Sequence, residues 1–279
     1  MVSFHGVVSN VVSETNGKEL QLCDMELSDL EKQRYKKHLQ LEAVGLEGQL
    51  KLKRGRVLVV GAGGLGSPVL MYLAAAGIGS LSIMDDDVVS FPNLQRQVLH
   101  TTPMVGTAKV ISAYERLQQM NPEVNLNLIP ERLQAANAYE TISGYQVVVD
   151  CTDNLAARLL INDACVRASI PFVYGAVFEF EGQVSVFDAK RGPCLRCMLP
   201  EQLAPESIPN PEMHGLLSTV PGVIGLLQAT EVIKLLTGIG DNLVGILALY
   251  DALVVNLTKI RIPKRGNCPV CGVTGQKFI

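Results

Sequence analysis

Four cysteines stand in two tight pairs, Cys194-Leu-Arg-Cys197 and Cys268-Pro-Val-Cys271. Two Cys-x-x-Cys knuckles supply four thiolates, the donor set of a tetrahedral Zn²⁺, and a closed four-sulfur site is structural rather than catalytic. The long gap between the pairs means that the metal ties a strand end to the C-terminus. A redox pair is the alternative chemistry for the motif. Cys23, Cys151 and Cys165 stand apart. Cys151 and Cys165 fall in apolar strand and helix positions, where thiols are usually inert core residues. Seven cysteines with two tight pairs fit a reducing cytoplasm and a metal site better than a disulfide framework.

A second group of residues suits a nucleotide. Gly61-Ala-Gly63-Gly64-Leu-Gly66 follows a strand pattern and opens a helix pattern. Glycine lets backbone approach phosphates closely, and a helix N-terminus presents free amides to an anion. Asp85 ends the next strand, placed to accept hydrogen bonds from ribose hydroxyls. A glycine-rich turn serving packing alone is the alternative. Asn93-Leu94-Gln95-Arg96-Gln97 is followed by Lys109 at a helix start. A dehydrogenase has little use for two cations here, whereas adenylyl transfer must stabilise negative charge on a departing polyphosphate, with guanidinium as a planar fork and ammonium as a point charge. Each could also be an ordinary solvated side chain. Asp150-Cys-Thr-Asp153-Asn154 closes an apolar strand, so Asp153 faces the same crevice. A carboxylate beside phosphates holds Mg²⁺; Asp153 or Asn154 could instead cap the helix that follows, and the two roles can coexist.

The elements that must position these groups alternate. Ser28-Asp-Leu-Glu31 reads as a capping box, opening a charged helix that runs through Arg34, Tyr35 and Lys37 to about Leu52. Strand patterns at 56–60, 80–84, 124–129, 146–151 and 171–176 interleave with helix patterns at 65–76, 108–120 and 155–168. Such alternation predicts an α/β fold of Rossmann-like type, a mostly parallel sheet with helices on both faces. After Gly175, residues 183–187 and 253–262 show the period-two alternation of half-buried antiparallel strands. Four prolines from Pro200 to Pro211 mark an extended connection before an apolar helix near 223–236. The expected organisation is an N-terminal extension over 1–27 and one domain over 28–279, with a nucleotide-binding half to about 175 and a β-rich half carrying the zinc site.

No charged residue occurs from Val57 to Met84, but six glycines and Pro68 break that run, so no membrane span is expected. A net charge of −3, with both signs interleaved, suggests neither nucleic acid nor a membrane surface. Apolar residues make up 48% of the chain, which excludes disorder. Residues 1–15 show no secretory signal, and a cytoplasmic protein is expected.

Together these stretches, with Leu27-Ser-Asp, Arg34-Tyr35, Glu181-Gly-Gln-Val, Pro221-Gly-Val-Ile-Gly and Tyr250-Asp-Ala, resemble the MoeB/ThiF/HesA group, bacterial relatives of ubiquitin-activating enzymes. The resemblance spans about Leu27 to Gly272. It implies an ATP-dependent adenylyltransferase that activates the C-terminal glycine carboxylate of a small ubiquitin-like sulfur carrier ending in Gly-Gly, releasing pyrophosphate. By motif, Gly64, Asp85, Asn93, Leu94, Gln95, Arg96, Lys109, Asp153 and Asn154 would bind ATP, Asp153 would hold Mg²⁺, and Arg96 with Lys109 would stabilise the phosphates. It also implies a homodimer in which a basic residue enters the neighbour's site. Lys37 stands where that residue is commonly Arg, and a lysine keeps the charge but loses the fork. Where covalent-intermediate members carry a cysteine, this sequence has Pro211. No thioester or persulfide is therefore expected there. No rhodanese domain is expected after Cys271, and the resemblance then implies that sulfur would come from a separate protein. Two other readings are a non-catalytic carrier-binding scaffold and, from the glycine fingerprint alone, an NAD-dependent oxidoreductase.

Overall fold

The computed structural model describes residues 26–199 and 214–272. Nearly all of the 1–27 extension, the proline-rich connection and Pro211 therefore lie outside the described residues. The elements, in order, are α1 (Asp29–Arg34), α2 (Lys36–Leu39), α3 (Gly45–Lys53), β1 (Arg56–Val60), α4 (Gly66–Ala76), β2 (Ser80–Met84), α5 (Lys109–Met120), β3 (Asn125–Ile129), α6 (Ala138–Ser143), β4 (Val147–Asp150), α7 (Leu155–Ala168), β5 (Phe172–Phe178), β6 (Glu181–Phe187), α8 (Leu195–Met198), α9 (Thr219–Thr237), β7 (Ile246–Asp251) and β8 (Asn256–Arg261).

All eight strands form one sheet in the order β3-β2-β1-β4-β5-β6-β7-β8. β3, β2, β1, β4 and β5 pair in parallel; β5 to β8 pair antiparallel. The α/β expectation with antiparallel strands in the C-terminal half is borne out. In the centre of the parallel part β1, β2 and β4 are buried on both sides, and this accounts for the uncharged run: Val57 and Val59 face one core with Leu70, Leu73 and Leu117, while Leu58 and Val60 face another with Ile142 and Ile161. The chain steps outward from β1 through β2 to β3 and then returns to β4 on β1's other side. In open sheets a ligand crevice opens outside the carboxyl ends of strands at such a reversal.

Three expectations need correction. The helix expected from Ser28 to about Leu52 is three short ones. Its capping box is present, with Ser28 Oγ accepting from the Glu31 amide and Glu31 Oε2 accepting from the Ser28 amide. The helix breaks at Tyr35, whose hydroxyl oxygen accepts a hydrogen bond from Asn121 at 2.9 Å, and again at Gly45, in the left-handed region at φ +54°. The half-buried strand expected at 253–262 is the hairpin connection Leu253–Val255 followed by β8, which is exposed along its whole length because it forms the sheet edge. Its partner β7 escaped the sequence pattern. The apolar helix starts at Thr219 rather than near 223. By length and composition α9 could cross a membrane. It packs instead against α4, β5 and β6, burying Val220, Ile224, Ala229 and Val232.

Candidate active site

A cleft of about 890 Å³ opens at the carboxyl ends of β1, β2 and β4. Its floor is the loop from Gly61 to Leu65. Gly61 sits at φ +100°, and a Cβ there would lie 2.6 Å from the Cys151 carbonyl oxygen, so only glycine fits between β1 and β4. Gly64 lies between Pro221 and Arg96. Among the described residues, the backbone N–H groups of Gly63, Gly64 and Leu65 donate to no backbone acceptor. They precede α4, so the loop and the helix N-terminus together form a receptor for an anion.

Asp85 is held by backbone: its Oδ2 accepts from the Ala62 amide at 2.7 Å and its Oδ1 from the Asp87 amide at 2.9 Å. Lys109 opens α5 and is 5% exposed; its Nζ lies 2.8 Å from Asp87 Oδ2 and 3.9 Å from Asp85 Oδ1. Burying this ammonium is tolerable because two carboxylates face it. Arg96 donates to Asn93 Oδ1 at 3.0 Å, which leaves the rest of its guanidinium toward the cleft that both line.

The two readings of the β4 terminus separate between neighbours. Asn154 is the cap of α7, its Oδ1 accepting from the Ala157 amide at 2.9 Å. Asp153 is not; its carboxylate accepts only from Asn154 Nδ2 at 3.3 Å among the described residues, and it is exposed in the cleft wall. Behind it Asp150 is fully buried. Burial pushes its carboxyl up, against the opposing pull of the Arg158 charge and of hydrogen bonds from Thr152.

Of the residues singled out from sequence, Gly64, Asp85, Asn93, Gln95, Arg96, Lys109, Asp153 and Asn154 line this one cleft. Leu94 and Lys37 do not. Leu94 sits in the turn after Asn93 without lining the cleft, and Lys37 is exposed on α2. Sequence reasoning missed Arg158, which donates to the Thr152 carbonyl at 3.0 Å and lies over the Tyr174 ring. Its signal was available: it falls four residues after Asn154, on the face of α7 that begins at the cleft. Missed too was Glu179 in the far wall, which at φ +47° pairs with His214 at 3.1 Å, the imidazole resting against Phe178. No local pattern joins these residues, because they are 35 positions apart. Cys151 borders the cleft, but burial and then the Asp150 charge push its thiol well up. The same holds for Cys165. Neither is a ready nucleophile.

Away from the cleft, Cys194, Cys197, Cys268 and Cys271 are all buried, with their sulfurs within 4.8 Å of one another. Cys194 and Cys268 are 3.6 Å apart and Cys197 and Cys271 are 3.4 Å apart. Four sulfurs around a zinc ion stand ~3.8 Å apart, so the cluster fits a tetrahedral metal. Burial raises the Cys271 thiol to about 11. At Cys268 burial is outweighed by hydrogen bonds from the backbone of Cys271 and Val270, which bring it to about 7. The knuckle is pinned to α7, since Asn162 Oδ1 accepts from the Leu195 amide and Asp163 takes both arms of Arg196 at 2.6 and 2.8 Å.

A sequence model described as the ThiF family matches residues 35–270. The chain belongs to the ThiF family. It is 46% identical over 244 residues to a sulfur carrier protein adenylyltransferase of Thermus thermophilus, covering 86% of this chain and 90% of that one. It is 45% identical over 248 residues to a SAMP-activating enzyme E1 of Haloferax volcanii, covering 88% and 91%. An adenylyltransferase and sulfurtransferase MOCS3 of Aedes aegypti is 43% identical over 250 residues, and this ThiF-family chain spans 57% of that protein's length. Among solved structures, E. coli MccB crystallised with ATP superposes with a TM-score of 0.76 at 22% identity, over 85% of this chain and 74% of that one. That likeness concerns the fold.

Proposed function

We propose that this protein is an ATP-dependent adenylyltransferase that activates the C-terminal glycine carboxylate of a small ubiquitin-like sulfur carrier ending in Gly-Gly. One observation carries the reading: a glycine loop, two cations and an exposed carboxylate converge on one cleft at the sheet's reversal point. The names of the two relatives matched over most of their length support the substrate class.

In this account the unpaired loop amides receive phosphate oxygens, Asp85 accepts from the ribose, and Gly64, Asn93, Gln95 and Asn154 complete the nucleotide's surroundings. Asp153 holds the Mg²⁺ that arrives with ATP. A carrier carboxylate oxygen bonds to the α-phosphorus as the bond to the bridging oxygen of pyrophosphate breaks. Negative charge grows on the departing group, and Arg96 and Lys109 are fixed there to meet it. The products are the carrier acyl-adenylate and pyrophosphate. No covalent step at Pro211 is needed, and sulfur comes from a separate donor.

The cysteine cluster holds a structural zinc, whose chemistry is to neutralise four thiolates and fasten the C-terminal segment to α8. The enzyme works in the cytoplasm as one domain over 28–279, and as a homodimer. An apolar groove of about 310 Å³ between α4 and α9, lined by Tyr72, Ala75, Leu226 and Ile233, supports the dimer. His38 borders the same groove, and in this account its exposed neighbour Lys37 is the basic residue that enters the partner's cleft.

Intact-mass measurement of a Gly-Gly carrier incubated with enzyme and ATP-Mg²⁺ tests the proposal. The expected result is a carrier bearing one added AMP, and none on a carrier lacking the final glycine. Equal modification of both carriers, or none of either, overturns it.

A further inference from the structure

His100 is 5% exposed and lies beneath the glycine loop. Its Nε2 is 2.8 Å from the Ala62 carbonyl oxygen and its Nδ1 is 2.9 Å from Ser112 Oγ. A carbonyl can only accept, so Nε2 carries the proton; Nδ1 is then the acceptor, and the Ser112 hydroxyl donates to it. Ser112 is on α5, three residues after Lys109. Ala62 is the residue whose amide donates to Asp85 Oδ2, and Lys109 faces Asp85 and Asp87. The imidazole therefore closes a ring: loop to Asp85, Asp85 to Lys109, Lys109 along α5 to Ser112, and Ser112 through His100 back to the loop.

The peptide plane gives this ring a consequence. The Ala62 carbonyl and the Gly63 N–H belong to one trans peptide and point in opposite directions. Holding the carbonyl inward on His100 therefore turns the Gly63 amide outward. We propose that His100 is a positioning residue, which fixes the glycine loop's free amides at a set distance from the Lys109 ammonium so that both meet one polyphosphate. The inference rests on the nucleotide reading above and adds the strut that spaces its two anion-binding parts.

Burial keeps the imidazole below the usual histidine range, and the Lys109 charge adds to this against the opposing influence of the Ala62 carbonyl and Asp85. A neutral ring lets the Ser112 hydroxyl donate to Nδ1, whereas a charged ring would donate to Oγ and turn that hydroxyl toward another acceptor.

Two substitutions separate this role from packing. Leucine fills the volume of His100 but cannot bond Ala62, whereas glutamine keeps a donor at the Nε2 position. ATP-Mg²⁺ affinity is measured by calorimetry on the full chain, with melting temperature alongside. His100→Leu is expected to weaken ATP binding about tenfold, the size of one lost hydrogen bond's worth of alignment, and His100→Gln to recover it to within about threefold. If both variants bind ATP as wild type does, or if both lose binding only in step with melting temperature, His100 is a packing residue and the inference fails. Absence of ATP binding by the wild-type chain would instead overturn the nucleotide reading. Imidazole ¹⁵N shifts decide the ring independently of any nucleotide: an Nε2–H neutral tautomer is expected, and an Nδ1–H tautomer or a charged ring contradicts the proposal.

Discussion

Asp153 and Asn154 are adjacent, and both looked able to cap α7 from their types alone. The structure gives the cap to Asn154 and leaves Asp153 in the cleft wall. The two substitutions should therefore have opposite signatures. Asn154→Ala loses a cap and should cost about 1 kcal/mol of stability, read as a lower denaturation midpoint. Asp153→Ala should leave the midpoint within about 0.5 kcal/mol, as surface changes usually do, while abolishing nucleotide transfer. A reversed pattern would mean the roles are exchanged. Side-chain chemistry announced the glycines, Asp85, Arg96 and Lys109 because each stands in a local motif. Arg158, Glu179 and His214 were harder to see, since what places them is the meeting of β4, α7 and the β5–β6 connection rather than spacing along the chain.

Among elements, the start of α1 was legible and its continuation was not. Ser28 and Glu31 satisfy each other within four residues, a local transaction that sequence records. The break at Tyr35 depends on Asn121, 86 positions away. Lys53 also reaches Glu31, at 2.7 Å. Burial alone would push the Glu31 carboxyl up, but the bonds from Lys53 and Ser28 outweigh it and hold it below its ordinary value of 4.5. The clamp's stabilisation is therefore present above that value and drains away as pH falls through the lower folded value. Glu31→Gln should flatten the fall of melting temperature between about pH 5 and pH 3; an unchanged acid limb would remove the clamp from the account. The knuckle element gives a second test. If the four thiolates hold zinc as proposed, Cys268→Ser or prolonged chelation should release it, measured by metal analysis, and lower the melting temperature by several degrees, although Asn162 and Asp163 still bind α8 to α7. Retained stability in metal-free protein would show that the hydrogen bonds suffice without the ion.

Across the whole molecule, the uncharged run from Val57 to Met84 becomes β1, the loop, α4 and β2, the most enclosed part of the sheet. Burial on both faces selects apolar residues without alternation, which is why this half could be read strand by strand. The opposite edge could not. Leu253, Val254 and Val255 are apolar yet 68–77% exposed, so their pattern mimicked a half-buried strand that the hairpin does not contain. The reversal between β1 and β4 is what brings four separated motifs to one cleft, and the account stands on that cleft moving an adenylyl group. ATP–pyrophosphate exchange measures this most directly. The wild-type chain should catalyse exchange only when a Gly-Gly carrier is present, and Arg96→Ala and Asp153→Ala should each reduce it by about a hundredfold or more. Wild-type exchange rates in both variants would contradict the account.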